Sequence, residues 1–74
     1  MKNPQNPYII KILGDNLRKI RKAKKLTIVE AAELCGVEKI TISRIELCNS
    51  NPTVSTIYQI SQGLNIGITE LLAE

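Results

Sequence analysis

The chain has 74 residues, ten basic against seven acidic side chains for a net charge of +3, and 43% apolar residues with no Phe, Trp or His. That length implies one domain built around a single small aliphatic core. No apolar run approaches the roughly 18 residues needed to cross a bilayer. The opening MKNPQNPYIIKIL is too short and too broken by Pro4 and Pro7 to be a secretory signal, so a cytoplasmic protein is expected.

Residues 1–6 are expected to form a flexible tail ahead of a domain over 7–74. Asn6 is a plausible N-cap and Pro7 suits a first helical turn. A first helix is predicted over 7–24, with Ile10, Leu13, Leu17 and Ile20 as its buried stripe. Gly14 within it costs about 1 kcal/mol against Ala, which points to close packing. Thr27, with Glu30 three residues on, forms a capping box for a second helix over 28–35. On that helix Ala31, Ala32 and Cys35 make a stripe of small residues that lets a neighbour approach closely. Gly36 is a hinge. After it, Val37, Ile42 and Ile45 repeat at helical spacing and predict a third helix over 38–47. Its outward face carries Lys39, Ile40, Ser43, Arg44 and Leu47. Asn49, Ser50, Asn51 and Pro52 are loop chemistry. Thr53 caps a fourth helix over 54–63, with Ile57, Ile60 and Leu64 inward and Gly63 and Asn65 at its end. A last short helix over 68–73 adds Leu71 and Leu72 to the core. The fold class is therefore all-α.

Arg18, Lys19, Arg21, Lys22, Lys24 and Lys25 place six of the ten basic residues within eight positions. Such a cluster fits a polyanion footprint, although taken alone it is more simply the solvated face of a helix. Cys35 and Cys48 are the only cysteines, and without His or a CxxC no metal site or cofactor is expected. Both thiols are expected to be reduced. No paired carboxylates, nucleophile–base pair or phosphate loop is present, so an enzyme is not expected.

Two short helices joined by a tight Gly-containing turn make a helix-turn-helix, whose second helix commonly enters the DNA major groove. The chain also carries Leu13-Gly14, Leu17-Arg18, Arg21, Leu26-Thr27, Ala32, Gly36-Val37 and Ile42-Ser43-Arg44-Ile45-Glu46. Asn51-Pro52-Thr53, Ile60, Leu64 and Leu71 follow without a gap. In these positions it resembles the phage repressor and Cro-like helix-turn-helix domains, the Xre family, from Leu13 to Leu72. The resemblance implies a compact five-helix, lambda-repressor-like domain. It also implies a sequence-specific transcriptional regulator, such as a repressor, that binds double-stranded DNA as a homodimer.

Carried over position by position, the resemblance assigns base contacts to Lys39, Ile40, Thr41, Ser43 and Arg44. It assigns backbone contacts to Thr27, Ile28, Asn49, Ser50 and Asn51, and the basic cluster adds Lys22 and Lys25. Arg21 and Glu46 resemble a structural ion pair between the first and third helices. The pairing surface is expected around Leu64, Ile66, Ile68 and the last helix, with Tyr8, Ile9 and Ile12 as second choice. Four positions depart from the pattern: Ile28 stands where Gln is frequent, Glu38 where Ser or Thr caps the third helix, Ala31 where Leu is usual, and Cys48 where Gly is common. The last implies that Asn49 takes the left-handed turn. The alternative is a protein-interaction module, antitoxin-like or adaptor, favoured by the exposed apolar Ile40 and Leu47.

Overall fold

The computed structural model describes residues 7–74, so the expected tail and its Asn6 cap lie outside the described residues. Five helices follow one another: α1 (Pro7–Ala23), α2 (Ile28–Cys35), α3 (Lys39–Glu46), α4 (Val54–Gly63) and α5 (Ile68–Leu72). No strand occurs among the described residues.

Helix starts are set by short polar side chains. Thr27 Oγ1 accepts from the Glu30 N–H at 3.0 Å, and Glu30 Oε1 accepts from the Thr27 N–H at 2.8 Å, completing the expected capping box. Thr53 Oγ1 accepts from the Thr56 N–H at 3.1 Å and opens α4. Helix ends share a second device. Lys25, Gly36, Cys48 and Asn65 all have left-handed backbone, with φ of 59°, 69°, 61° and 58°. The N–H of the following residue then reaches a carbonyl five positions back, as Leu26 does to Arg21 and Asn49 to Arg44. Only one of the four is glycine. The left-handed residue after α3 is Cys48, not Asn49, because the N–H that closes the turn on Arg44 O is that of Asn49.

The core is aliphatic: Leu17, Ile42, Ile45, Ile60 and Leu71 are fully buried, with Leu13, Ala31, Ala32, Cys35, Ile57 and Leu64 around them. α1 packs on α3 and α5, α2 on α3 and α4, and α4 on α5. Two glycines set the closeness of these crossings. A Cβ on Gly14 would lie 2.5 Å from Ile45 O, which brings α1 onto α3. A Cβ on Gly63 would lie 2.5 Å from Cys35 Cα, which brings α4 onto the end of α2. Gly63 does end α4, but its φ is not left-handed and its work is packing. Of the expected inward residues, Ile20 and Leu72 are half-buried and lean on the core. Leu64 is buried at 2% exposure, so it cannot serve as the pairing surface expected of it, and Ile66 and Ile68 also pack against the core. Tyr8 and Ile9 remain exposed.

Candidate nucleic-acid interface

α3 divides its side chains by the 3.6-residue period. Ile42 and Ile45 are buried, and Lys39, Ile40, Arg44 and the following Leu47 face solvent. Thr41 and Ser43 sit at the margin, half-buried. The only salt bridges among the described residues are Lys11–Asp15 and Arg21–Glu46, so the Lys39 ammonium and the Arg44 guanidinium are uncommitted. A guanidinium presents a rigid fork of N–H donors on a surface that also offers the hydroxyls of Thr41 and Ser43 and the apolar side chain of Ile40.

Three contacts hold α3 in place. Arg21 Nε donates to Glu46 Oε2 at 2.6 Å and Nη2 donates to Glu46 Oε1 at 2.9 Å, a bidentate bridge from α1 to the last turn of α3. Arg21 Nη1 also donates to Leu26 O at 2.8 Å, tying in the approach to α2. The hydrogen bond to Glu46 holds the Arg21 pKa above its ordinary value, outweighing the desolvation that opposes it. The two side chains retain 11% and 7% of their exposure, so this is nearly a buried pair. At the turn between α2 and α3, Gln59 Nε2 donates to Cys35 O at 2.9 Å and to Gly36 O at 3.1 Å. α4 thereby braces the hinge, a function of Gln59 that no spacing in the sequence signals. Gly36 supplies the left-handed backbone of that hinge. Away from the interface, Asn16 Nδ2 donates to Leu71 O at 2.9 Å and to Ala73 O at 2.8 Å, fastening the end of α5 to α1.

The flanking candidates are distributed as follows. Thr27 is exposed, and its hydroxyl is engaged in the α2 cap; Ile28 is half-buried against the core, leaving only its backbone at the helix start. Asn49 and Asn51 are exposed and Ser50 is half-buried in the loop after α3. Lys22 and Lys25 are exposed together with Arg18, Lys19 and Lys24. Arg21 leaves that cluster for its partner on α3. Both cysteines are free: Cys35 is buried with its Sγ 3.5 Å from Ile60 O, and Cys48 is exposed. Burial pushes the Cys35 thiol pKa up. Among the described residues no group of His, Cys, Asp or Glu is placed to hold a metal ion, and no helix is long and apolar enough to cross a membrane.

Residues 17–71 match the HTH_3 helix-turn-helix family model. The HTH-type transcriptional regulator y4dJ of Sinorhizobium fredii is 34% identical over 62 residues, covering 84% of this chain and 80% of that protein. The immunity repressor protein of Bacillus phage phi105 is 31% identical over 62 residues, covering 84% of this chain and 43% of the repressor. Among solved structures, an HTH_3 family transcriptional regulator from Vibrio cholerae superposes with a TM-score of 0.89 at 28% identity, covering 93% of this chain and 39% of that one.

Proposed function

This chain belongs to the HTH_3 helix-turn-helix family and is a DNA-binding transcriptional regulator, and on that premise we propose that it binds duplex DNA sequence-specifically through α3. In this reading residues 7–74 act as one DNA-binding unit in the cytoplasm, and α3 lies in the major groove with Lys39, Ile40, Thr41, Ser43 and Arg44 toward the bases. Arg44 takes guanine O6 and N7 as a bidentate acceptor pair, and Ile40 covers a thymine methyl. Thr27, the backbone at Ile28, the loop residues Asn49, Ser50 and Asn51, and the ammonium groups of Lys22 and Lys25 meet phosphates on either side. Two copies bind as a homodimer, which places two α3 helices about 34 Å apart on half-sites centred roughly 10 bp apart.

The observation that carries this reading is the state of the α3 outer face. Its cations are uncommitted, while its inner face and its last turn are locked by Ile42, Ile45 and the Glu46–Arg21 pair. A helix so firmly anchored and so free on the other side presents a rigid reading head. Selection of bound fragments from random duplex DNA, followed by binding of Arg44→Ala to the selected site, tests it. Arg44→Ala is expected to cost about 1–3 kcal/mol on the selected site and to relax preference at one base pair. Equal loss on selected and random DNA would mean that Arg44 touches phosphate only.

A second reading, a protein-interaction module using the same face, draws on the 48% exposure of Ile40 and the 64% exposure of Leu47. It predicts that no preferred DNA site emerges from the selection.

A further inference from the structure

We propose that Glu38 is a specificity-determining residue of the DNA interface, accepting from a cytosine amino group in the major groove and opposing binding elsewhere; this rests on the reading that α3 enters that groove. The chain has seven carboxylate side chains. Five of them are engaged within the fold: Asp15 by Lys11, Glu30 by the Thr27 N–H, Glu46 by Arg21, Glu70 by the Gly67 N–H and Glu74 by Tyr8. Among the described residues, Glu33 and Glu38 remain without such a partner. Glu38 is the N-cap of α3, with extended backbone at φ −77° and ψ 151°, and its side chain makes no cap hydrogen bond. It is exposed. The side chains that cap well are Ser, Thr, Asp and Asn, short enough to reach back to the helix N–H groups. Glu38 does no such work, so its carboxylate is available beyond the tip of the helix.

No salt bridge joins it to Lys39 among the described residues. The first N–H groups of α3 have no partner inside the helix, and such a terminus ordinarily welcomes a phosphate. A carboxylate at the same place repels one. Complexes that rely on phosphate contacts alone are therefore weakened at this tip. The base edges determine which placement is favourable. Guanine offers N7 and O6 acceptors and thymine offers O4, all of which repel a carboxylate. Adenine has an amino donor but sets the N7 acceptor beside it. Cytosine presents the N4 amino group with an acceptor on one side only, the guanine O6 across the pair, whereas the adenine amino group lies between N7 and the thymine O4, so cytosine suits Glu38 best.

The test starts with selection from random duplex DNA by the full chain, then measures Glu38→Gln and Glu38→Thr by fluorescence anisotropy on the selected site and on random duplex. For Glu38→Gln, affinity for random duplex should rise about fivefold, the gain from removing one like-charge contact near 4 Å in water. The ratio of selected to random affinity should fall about tenfold, and a repeated selection should lose a cytosine preference at one position. Glu38→Thr introduces a true cap, so it folds at least as well and should show the same loss of discrimination. An unchanged ratio and unchanged base preferences in both variants would overturn the assignment while leaving sequence-specific binding intact. If the wild-type chain selects no preferred site, the parent reading fails and the role of Glu38 fails with it.

Discussion

Glu46→Ala tests the link between α1 and the reading helix. The substitution removes both oxygens that accept from Arg21 at 2.6 and 2.9 Å, and leaves the guanidinium only Leu26 O at 2.8 Å. With exposures of 11% and 7% the pair lies close to the buried limit, where removing one partner costs about 3–5 kcal/mol, rather than the 0–1 kcal/mol of a surface pair. Global stability at about 0.05–0.15 kcal/mol per residue is roughly 4–11 kcal/mol for a chain of this size, so the loss takes a large share of the total. Urea unfolding followed by circular dichroism of Arg21→Ala, Glu46→Ala and the double variant gives the coupling directly. The single variants should each lose about 3 kcal/mol, and the double variant should lose much less than their sum. Replacing the pair by Arg21→Met with Glu46→Leu should restore most of the stability, because the buried charges go together. High salt should barely change the difference between wild type and Glu46→Ala, since a pair this enclosed is poorly screened. Additive losses below about 1 kcal/mol would refute the reasoning and make the bridge a surface contact.

Further outcomes are expected from the same structure. Gly63→Ala gains about 1 kcal/mol in helix propensity, but its Cβ would meet Cys35 Cα at 2.5 Å and Leu34 O at 2.7 Å, neither of which can swing aside. A net destabilisation of about 1–2 kcal/mol in urea melts should result. Lys25→Gly should stabilise the chain by about 0.5–1 kcal/mol, because left-handed backbone at φ 59° strains a residue bearing a Cβ and the gain exceeds the added entropy of the unfolded chain; no change in the midpoint would mean that Lys25 carries no strain. Burial raises the Cys35 pKa above its ordinary 9.0, so the unfolded thiol loses its proton first and stability should fall as pH rises above that value. Cys35→Ala should remove this alkaline slope. Under a thiol reagent Cys48 should react at once and Cys35 only as fast as the fold opens. If Lys22 and Lys25 meet phosphates, Lys22→Ala and Lys25→Ala should each reduce the salt slope of DNA binding by about 0.9, equally for all sequences.

The parts of the fold legible in the sequence are those whose causes lie within about four residues. The Thr27–Glu30 box, the Thr53 cap, the Gly36 hinge and the apolar spacings of Leu13–Leu17 and Ile42–Ile45 act along the local chain, so their residue types announce them. The outward face of α3 follows from the same period, since placing Ile42 and Ile45 inward leaves Lys39, Ile40 and Arg44 outside. Partners distant in the chain were legible only where charge and margin position coincided with the family resemblance, as for Arg21 and Glu46, 25 residues apart. The tertiary structure decided the rest. Gln59 reaches the α2–α3 turn from 24 and 23 residues away, and Asn16 reaches Leu71 across 55, and an isolated polar residue carries no mark of such a target. Gly63 ends α4 as its residue type implies, but glycine also serves as a gap for a neighbour, and only the packing shows that Cys35 fills that gap. The left-handed turn fell on Cys48 rather than Asn49 because α3 and the seat of the loop after it fix where the chain must reverse, and that demand outweighs Asn's modest intrinsic advantage in left-handed backbone. Leu64 is inward as its spacing after Ile57 and Ile60 implies; what the packing of α4 on α5 decided is that none of it is left over for a pairing surface.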